Sequence, residues 1–304
     1  DQTFRDMEVI LVDRRYELRH DRVMALAREY GVNLIHVPEH RRNVKWATIG
    51  SAWNSAIAVA RGEIIIFLMD WTYAPPGWVE AHLRRQNGST YIVCPYRYTN
   101  APPIKTLMPY DFTGARDKGG RITELDPVHQ GLVFDEISAF EQRFEPAMLA
   151  SLTDYPSPHQ DPRILGDGAP VPDTWLHIKN ESMPREKALE MGGLDERLDR
   201  GKGPLDLDFG FRLTAAGLAL TWDNGGMARC IDPRWFLSSM PWGDRDERLE
   251  GRWSMYDGLA YNARRRAEAG AGKWRALNPY DLRGLAGQLE PWRNGETIDT
   301  RYLD

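Results

Sequence analysis

The most constraining feature of this sequence is a continuous apolar run from Glu63 to Met69 (EIIIFLM), followed by Asp70. Such a run is typical of a central strand in a parallel sheet, because that strand is buried on both faces. Strand-like runs and helical patterns alternate around it, as they do in βαβ units. The sequence therefore predicts an α/β fold with a mostly parallel sheet.

The remaining patterns predict the order of the other elements. In the first hundred residues, strands are predicted at Glu8 to Val12, Asn33 to Val37 and Thr90 to Cys94, and helices at Arg19 to Tyr30, Ser51 to Arg61 and from Trp78. Further along, Thr174 to Lys179 is predicted to be a strand, and Ser182 to cap a helix that begins near Pro184. Two more helices are predicted at Leu205 to Ala216 and at Leu259 to Ala269.

Composition and charge narrow the classes of function. The chain has 304 residues, of which 42% are hydrophobic and 27% charged, so it can bury a sizeable core. A net charge of −5 does not favour a nucleic-acid partner, although it leaves one open. The two cysteines, Cys94 and Cys230, lack metal-ligand spacing and are interpreted as buried thiols of a reducing compartment. The sequence contains no membrane-length apolar run and opens without a signal peptide, which predicts a soluble cytoplasmic protein.

Two acidic residues stand where ligands bind in open parallel sheets. Asp13 and Asp70 each follow a predicted strand, and the carboxyl ends of parallel strands meet at one edge of a sheet. One carboxylate in such a place can hydrogen-bond a nucleotide base or ribose, and another can bind a divalent cation. The alternative is that each acid caps a helix or a turn. The spacing alone leaves both interpretations open.

Five segments in a fixed order carry a resemblance to a known family. They are Gln2 to Phe4 with Glu8 to Asp13, Asn54 with Ala60 to Glu63, Phe67 to Trp71 with Pro75-Pro76 and Trp78, Asn180 with Gly192 to Glu196, and Leu205 to Leu213 closed by Gly217. Across roughly residues 1–240 this order resembles family 2 glycosyltransferases, which are inverting enzymes of the GT-A fold. The resemblance implies a GT-A core over residues 1–240 and a C-terminal extension over residues 241–304 that packs on it.

The resemblance also implies a reaction and its residues. A nucleotide-sugar-dependent hexosyltransferase would move a sugar, with a UDP-sugar favoured, to an acceptor hydroxyl, and would use Mg²⁺ or Mn²⁺. Asp206 corresponds to the catalytic base, and Asp70 to a metal ligand. The donor-binding residues implied are Asp13, Arg42, Lys45, Asn54, Asp70 and Trp71, and the acceptor-binding residues are Asn180, Gly193 and Asp195.

The chain departs from the family pattern at three places. Met69-Asp70-Trp71 offers one carboxylate where the family has two or three. The usual late histidine ligand is missing, and Asp232, near its place, is predicted to substitute for it as a metal ligand. The family's first strand, which precedes the Gln2 segment, has no counterpart, so that strand is expected to be missing or supplied elsewhere. The single carboxylate leaves a second hypothesis open, a degenerate GT-A domain that binds a nucleotide sugar or glycan without catalysis. A nucleotidyltransferase is less favoured because no glycine-rich phosphate loop is visible.

Overall fold

A computed structural model describes residues 2–14, 16–41, 49–69, 72–100, 115–116, 122–124, 153–156, 165–199, 204–231 and 255–296. Strands and helices alternate through the first hundred residues, as the sequence predicts. The elements are β1 Val9–Asp13, α1 Tyr16–Glu29, β2 Leu34–Pro38, α2 Ile49–Val59, β3 Ile64–Leu68, β4 Thr72–Tyr73, α3 Trp78–Leu83, β5 Thr90–Val93 and β6 Tyr96–Asn100.

The second half of the described chain contains short strands followed by helices. The elements are β7 Ala115–Arg116, β8 Ile122–Glu124, β9 Thr153–Pro156, β10 Asn180–Pro184, α4 Arg185–Glu190, α5 Pro204–Ala215, β11 Ala219–Trp222, β12 Ala228–Ile231, α6 Met255–Gly270 and α7 Leu282–Arg293. The helices that the sequence predicts near Leu205 and Leu259 are confirmed as α5 and α6. Gly217, with φ 83°, follows α5 in the left-handed conformation that commonly ends a helix.

The central sheet has the strand order β11-β5-β10-β3. β11 is parallel to β5, and β10 is antiparallel to both β5 and β3. Three of the four strands therefore run in the same direction, and β10 is inserted among them in the opposite one. The predicted α/β class is confirmed. The antiparallel strand was not predicted, because direction within a sheet is decided by long-range pairing and not by local pattern.

A second sheet, of two strands, is formed by β1 and β2. They are parallel, and Asp13 at the end of β1 is the register partner of Pro38 at the end of β2. Within the described residues β3 pairs with β10 alone, so β3 is an edge strand there. This position explains why Phe67 is the one fully buried residue in a strand whose apolar sequence predicts burial on both faces.

The strand predicted at Thr174 to Lys179 is wrong in position. Residues 173–175 form a short 3₁₀ helix, and the strand is β10, which begins at Asn180. Ile178 has φ 44°, which no extended strand can accommodate. The predicted cap is also wrong, because Ser182 lies buried within β10 and hydrogen-bonds His82, while α4 follows Pro184 without a side-chain cap.

The main hydrophobic core joins the central sheet to helices from both ends of the chain. Phe67 of β3 packs edge-on against Phe209 of α5, at a ring-centroid distance of 6.4 Å. Leu289 and Trp292 of α7 are buried in the same core, where α7 packs against α2. Cys94 is a buried thiol, as predicted. Among the helices that the structure describes, none is both long enough and apolar enough to cross a membrane.

Candidate functional site

The turn formed by residues 177–179 lies beside the carboxyl end of β3. Met69, the residue after β3, donates its backbone N–H to the Lys179 carbonyl oxygen over 3.1 Å. The next residue in the chain is Asp70, which lies outside the described residues. The turn therefore borders the strand end from which the predicted metal ligand follows.

Asp206, the predicted base, lies in the first turn of α5 and is partly exposed. Burial raises the pKa of its carboxyl to about 6, while the Lys179 cation acts in the opposite direction. The carboxyl is thus within electrostatic range of the 177–179 turn. A carboxylate with a pKa near 6 is largely ionised at pH 7, yet it accepts a proton more readily than an ordinary aspartate. General-base chemistry requires this combination.

The position of Asp206 depends on a close approach between α5 and the 3₁₀ helix before the turn. A Cβ atom at Gly210 would overlap the Asp173 carbonyl oxygen and would come within 2.7 Å of Leu176 Cδ1. Only glycine permits this contact without movement of the backbone. Gly210 thereby sets how closely the first turn of α5 approaches the 177–179 turn.

Glu181, which the sequence analysis missed, lies buried in β10 under the same turn. Its carboxylate accepts the backbone N–H groups of His177 and Ile178, each over 3.2 Å, and the hydroxyl of Tyr91. Burial raises the pKa of Glu181 to about 7, against the effect of these three donors. The sequence of β10, NESMP, is mostly polar, so it gave no local signal that this carboxylate is buried.

Asn54 and Gly193, predicted on the donor and acceptor sides, contact each other. Asn54 is fully buried, and its amide donates to the Leu194 carbonyl oxygen over 2.9 Å and accepts the Leu194 N–H over 2.8 Å. Gly193 has φ 66°, and a Cβ atom there would overlap Asn54 Oδ1. The pair therefore fixes the backbone of the 193–196 segment. A direct contact of either residue with a sugar stays a prediction.

Glu196, also missed, links this segment to the carboxyl end of β2. Its side chain is almost completely buried. Its carboxylate accepts hydrogen bonds from Asn54 Nδ2 over 2.9 Å, from Arg41 Nη1 over 3.1 Å and from the Tyr280 hydroxyl. His40 Nε2 lies 3.1 Å from Glu196 Oε1. Burial alone would raise the pKa of Glu196, but these partners hold it below its ordinary value. Glu196 is thus an ionised anchor at this end of the sheet.

Asp195, predicted to bind the acceptor, is fully buried in a network of charged side chains. It accepts Arg197 Nε over 2.9 Å and Arg197 Nη2 over 2.7 Å, and the Tyr261 hydroxyl over 3.0 Å. Burial alone would raise its pKa, but Arg197 brings the pKa below its ordinary value. In these bonds Asp195 connects the 193–196 segment to α6.

Asn180, the third predicted acceptor residue, is also buried. Its Oδ1 accepts Trp78 Nε1 over 2.8 Å and lies 3.1 Å from His82 Nε2. Its Nδ2 donates to the carbonyl oxygens of Pro95 and Gly226, both over 2.8 Å. Burial lowers the pKa of His82 to about 4, so the ring is neutral at pH 7. A contact between Asn180 and an acceptor, which stays a prediction, would require one of these bonds to open.

Asp13 ends β1 next to cationic and aromatic side chains. Its Oδ2 lies 3.4 Å from Arg19 Nη1 and 3.7 Å from His36 Nε2. The His36 ring stacks on His20, and their Nδ1 atoms are 3.2 Å apart. One of these two nitrogens must be unprotonated to accept a hydrogen bond from the other. Recognition of a nucleotide base by Asp13 stays a prediction.

The remaining predicted site residues lie outside the described residues: Arg42, Lys45, Asp70, Trp71 and Asp232. In the part of the chain that the structure describes, no group of three or more His, Cys, Asp or Glu side chains is placed to hold a metal ion. The structure therefore packs α5, which carries Asp206, on β3 through Phe209 and Phe67, and it joins Asn54 to the 193–196 segment. The predicted metal ligands stay untested.

The chain matches no protein family, and no curated protein is significantly similar to it in sequence. Among solved structures it is similar to one described as the crystal structure of GalNAc-T7 with UDP, GalNAc and Mn2+, at a TM-score of 0.47 and 14% sequence identity. The similarity covers 97% of this chain and 51% of that one, so the chain spans about half the length of this neighbour. At this TM-score and sequence identity, the similarity does not indicate the activity of this chain.

Proposed function

We propose that the protein is an inverting glycosyltransferase with a GT-A-type core, which moves a sugar from a nucleotide-diphosphate donor to an acceptor hydroxyl. The observation that carries the proposal is the packing of α5 on β3. Asp206 lies in the first turn of α5, and Phe209 of the same helix packs on Phe67 of β3 with ring centroids 6.4 Å apart. A carboxylate base on the helix that packs on this strand suits a reaction with a donor held by Asp70, the second residue after β3.

In the proposed reaction, Asp206 accepts the proton of the acceptor hydroxyl as its oxygen attacks the anomeric carbon. The bond between that carbon and the diphosphate oxygen breaks on the opposite side, which inverts the configuration. Asp70 would hold a divalent cation, which would stabilise the negative charge of the departing diphosphate. Asp13, Arg42, Lys45 and Trp71 are proposed to contact the donor, for which a UDP-sugar is favoured, and Asn54 to act by positioning the 193–196 segment.

Two acidic residues that flank a described strand pair are proposed to hold the cation. β12 and β4 are antiparallel, with Arg229 opposite Tyr73 and Cys230 opposite Thr72. In the sequence, Asp232 comes two residues after Cys230, and Asp70 two residues before Thr72. Carboxylate oxygens are the ligands that Mg²⁺ and Mn²⁺ prefer.

Calorimetric titration of UDP, GDP and UDP-sugars, with and without Mn²⁺, tests the donor site. We expect UDP to bind more tightly with Mn²⁺, and Asp70→Asn and Asp232→Asn each to weaken that metal effect by about tenfold or more, as the loss of one charged ligand should. Asp21→Asn, an exposed aspartate on α1, is the matched control and should bind as the unmodified protein does. If neither nucleotide binds, the transferase proposal fails.

An acceptor screen with Asp206→Asn tests the base. The variant should bind the donor normally and should lose transfer by about 10²- to 10⁴-fold, the usual contribution of a positioned base. Sugar transfer that is unaffected by this substitution would contradict the assignment of Asp206. Donor binding without transfer to any acceptor by the unmodified protein would instead support the degenerate, binding-only GT-A domain.

A further inference from the structure

The turn beside Asp206 has an unfavourable backbone conformation. Ile178 has φ 44°, in the left-handed region, and is the single non-glycine residue with positive φ among those the structure describes. A β-branched side chain makes this region costly, so the conformation persists only where surrounding contacts enforce it. Strained residues of this kind are concentrated at functional sites.

The contact that enforces the turn is the carboxylate of Glu181. One carboxylate oxygen accepts the N–H of His177 and the other that of Ile178, and the second oxygen also accepts the hydroxyl of Tyr91. The Tyr91 ring in turn packs against Phe209 of α5, with ring centroids 6.0 Å apart. The buried Glu181 side chain thereby accepts the N–H groups of both His177 and Ile178, and Tyr91 links it to α5.

The turn connects two parts of the proposed site. Its last residue, Lys179, binds the N–H of Met69 at the end of β3 through its carbonyl oxygen, and its charge acts on the Asp206 carboxyl. Asp206 also interacts electrostatically with Glu181 and Tyr91. We infer that Glu181 is a positioning residue, which holds the strained turn and through it fixes the Lys179 backbone against Met69. The relevance of this role to catalysis rests on the proposed function.

Replacement of the carboxylate by an amide tests this role with little change in volume. The N–H groups of His177 and Ile178 donate to different carboxylate oxygens, so a glutamine at position 181 would present its NH₂ group to one of them, and two donors cannot hydrogen-bond each other. The turn can then relax toward ordinary dihedral angles. The Lys179 carbonyl oxygen would lose its fixed position opposite the Met69 N–H.

Two NMR measurements on Glu181→Gln follow these consequences and need no substrate. The amide hydrogen of His177 or of Ile178 should exchange about tenfold faster than in the unmodified protein, as expected for the loss of one hydrogen bond. The amide hydrogen of Met69 should also exchange faster, because the relaxed turn no longer holds the Lys179 carbonyl oxygen in place to accept it. Glu186→Gln, an exposed residue of α4, is the matched control and should change neither quantity.

A double-mutant cycle separates positioning from a general loss of structure. Tyr91→Phe removes the hydroxyl that donates to Glu181, so it should also speed the exchange of these amides. The double variant should show little further increase, because both changes act through the same contact. Unchanged amide exchange in Glu181→Gln, or additive increases in the double variant, would each overturn the inference.

Tyr91→Phe tests the same contact if Glu181→Gln does not fold. It keeps the ring packed on Phe209 and removes only the hydroxyl that braces Glu181, so smaller changes of the same sign are expected, and their absence would count against the inference. Because both readouts are independent of substrate, they stand even if no transferase activity is found. Once an acceptor is known, Glu181→Gln should lower kcat with little effect on the KM of the donor.

Discussion

Asn54 shows how one buried amide can position a segment that is distant in sequence. All of its hydrogen-bonding partners that the structure describes belong to residues 194–280, more than a hundred positions away. A buried polar atom that loses its partner costs much more than an average hydrogen bond contributes. The 193–196 segment therefore depends on this side chain for its conformation.

The substitution Asn54→Ala should destabilise the protein by about 2 to 4 kcal/mol, because it leaves the buried Leu194 N–H unpaired and removes one donor each from the Leu194 carbonyl oxygen and the Glu196 carboxylate. Urea denaturation of the two proteins measures the difference. Asn33→Ala is the matched control, since Asn33 is exposed and its amide donates one bond, to the Met7 carbonyl oxygen. The control should change the free energy of unfolding by no more than about 0.5 kcal/mol. Equal effects of the two substitutions would contradict the assignment.

Asp206 should make stability fall as the pH rises. Its folded-state pKa, about 6, is above that of an unfolded aspartate, so the folded protein binds more protons between about pH 4 and pH 6. The destabilisation is complete above pH 6 and absent below pH 4. Asp206→Asn should therefore gain about 1 to 2 kcal/mol of stability relative to the unmodified protein at pH 8, after allowance for partial exposure, and nothing at pH 3.5.

Urea denaturation at both pH values measures this difference. A stability gain for Asp206→Asn that is the same at both would show that ionisation of Asp206 is not its cause. Asp21→Asn, the exposed control, should give no such pH-dependent gain.

At the scale of elements, α5 is held against the 3₁₀ helix at residues 173–175 by a glycine. Gly210 lies inside α5, where glycine lowers helix stability relative to alanine by about 1 kcal/mol. Glycine is nevertheless required at this position, because the Asp173 carbonyl oxygen leaves no room for a Cβ atom. Close packing of these two elements thus outweighs local helix propensity, and it determines where Asp206 lies.

Gly210→Ala should destabilise the protein by about 1 to 3 kcal/mol despite its better helix propensity, because the added methyl group forces α5 away from Asp173. Gly287→Ala in α7 is the matched control, since no atom lies within 4 Å of its would-be Cβ. That control should raise stability by up to about 1 kcal/mol. Thermal unfolding followed by circular dichroism measures both changes. If Gly210→Ala stabilised the protein as the control does, the close approach would not be limiting.

At the scale of the whole molecule, a buried ionic network joins three distant segments. Asp208 of α5 accepts Arg212 Nε over 2.7 Å and lies 3.4 Å from Arg265 Nε of α6. Arg212 also donates to the Gly193 carbonyl oxygen over 2.8 Å, and Arg265 to that of Arg275 over 2.8 Å. Both arginines are almost completely buried, so water does not solvate their charges and these partners stabilise them instead.

Arg265→Ala should destabilise the protein by about 3 to 5 kcal/mol, because it leaves the buried carboxylate of Asp208 without one of its two cationic partners. Arg264→Ala, one residue earlier on α6, is the matched control, because its side chain is 64% exposed. The control should cost no more than about 1 kcal/mol. Guanidinium denaturation followed by tryptophan fluorescence measures both. Equal small effects would mean that α6 contributes little to the stability of the core.

The sequence by itself determined the α/β class and the existence of most elements in the first hundred residues. Those signals are local: the apolar run of β3, the helical period of α1, and glycine at the end of α5 follow from backbone geometry within a few residues. The assignment of Asp206 as a catalytic base stays a prediction.

Only the tertiary structure decided the direction of β10 and the buried partners of Asn54 and Asn180. Each of these depends on contacts between residues about fifty to two hundred positions apart. The local sequence around one partner does not indicate the position of the other. Glu181 and Glu196 were missed for the same reason. A carboxylate can be buried only where donors from other elements surround it, and those donors become visible once the chain has folded.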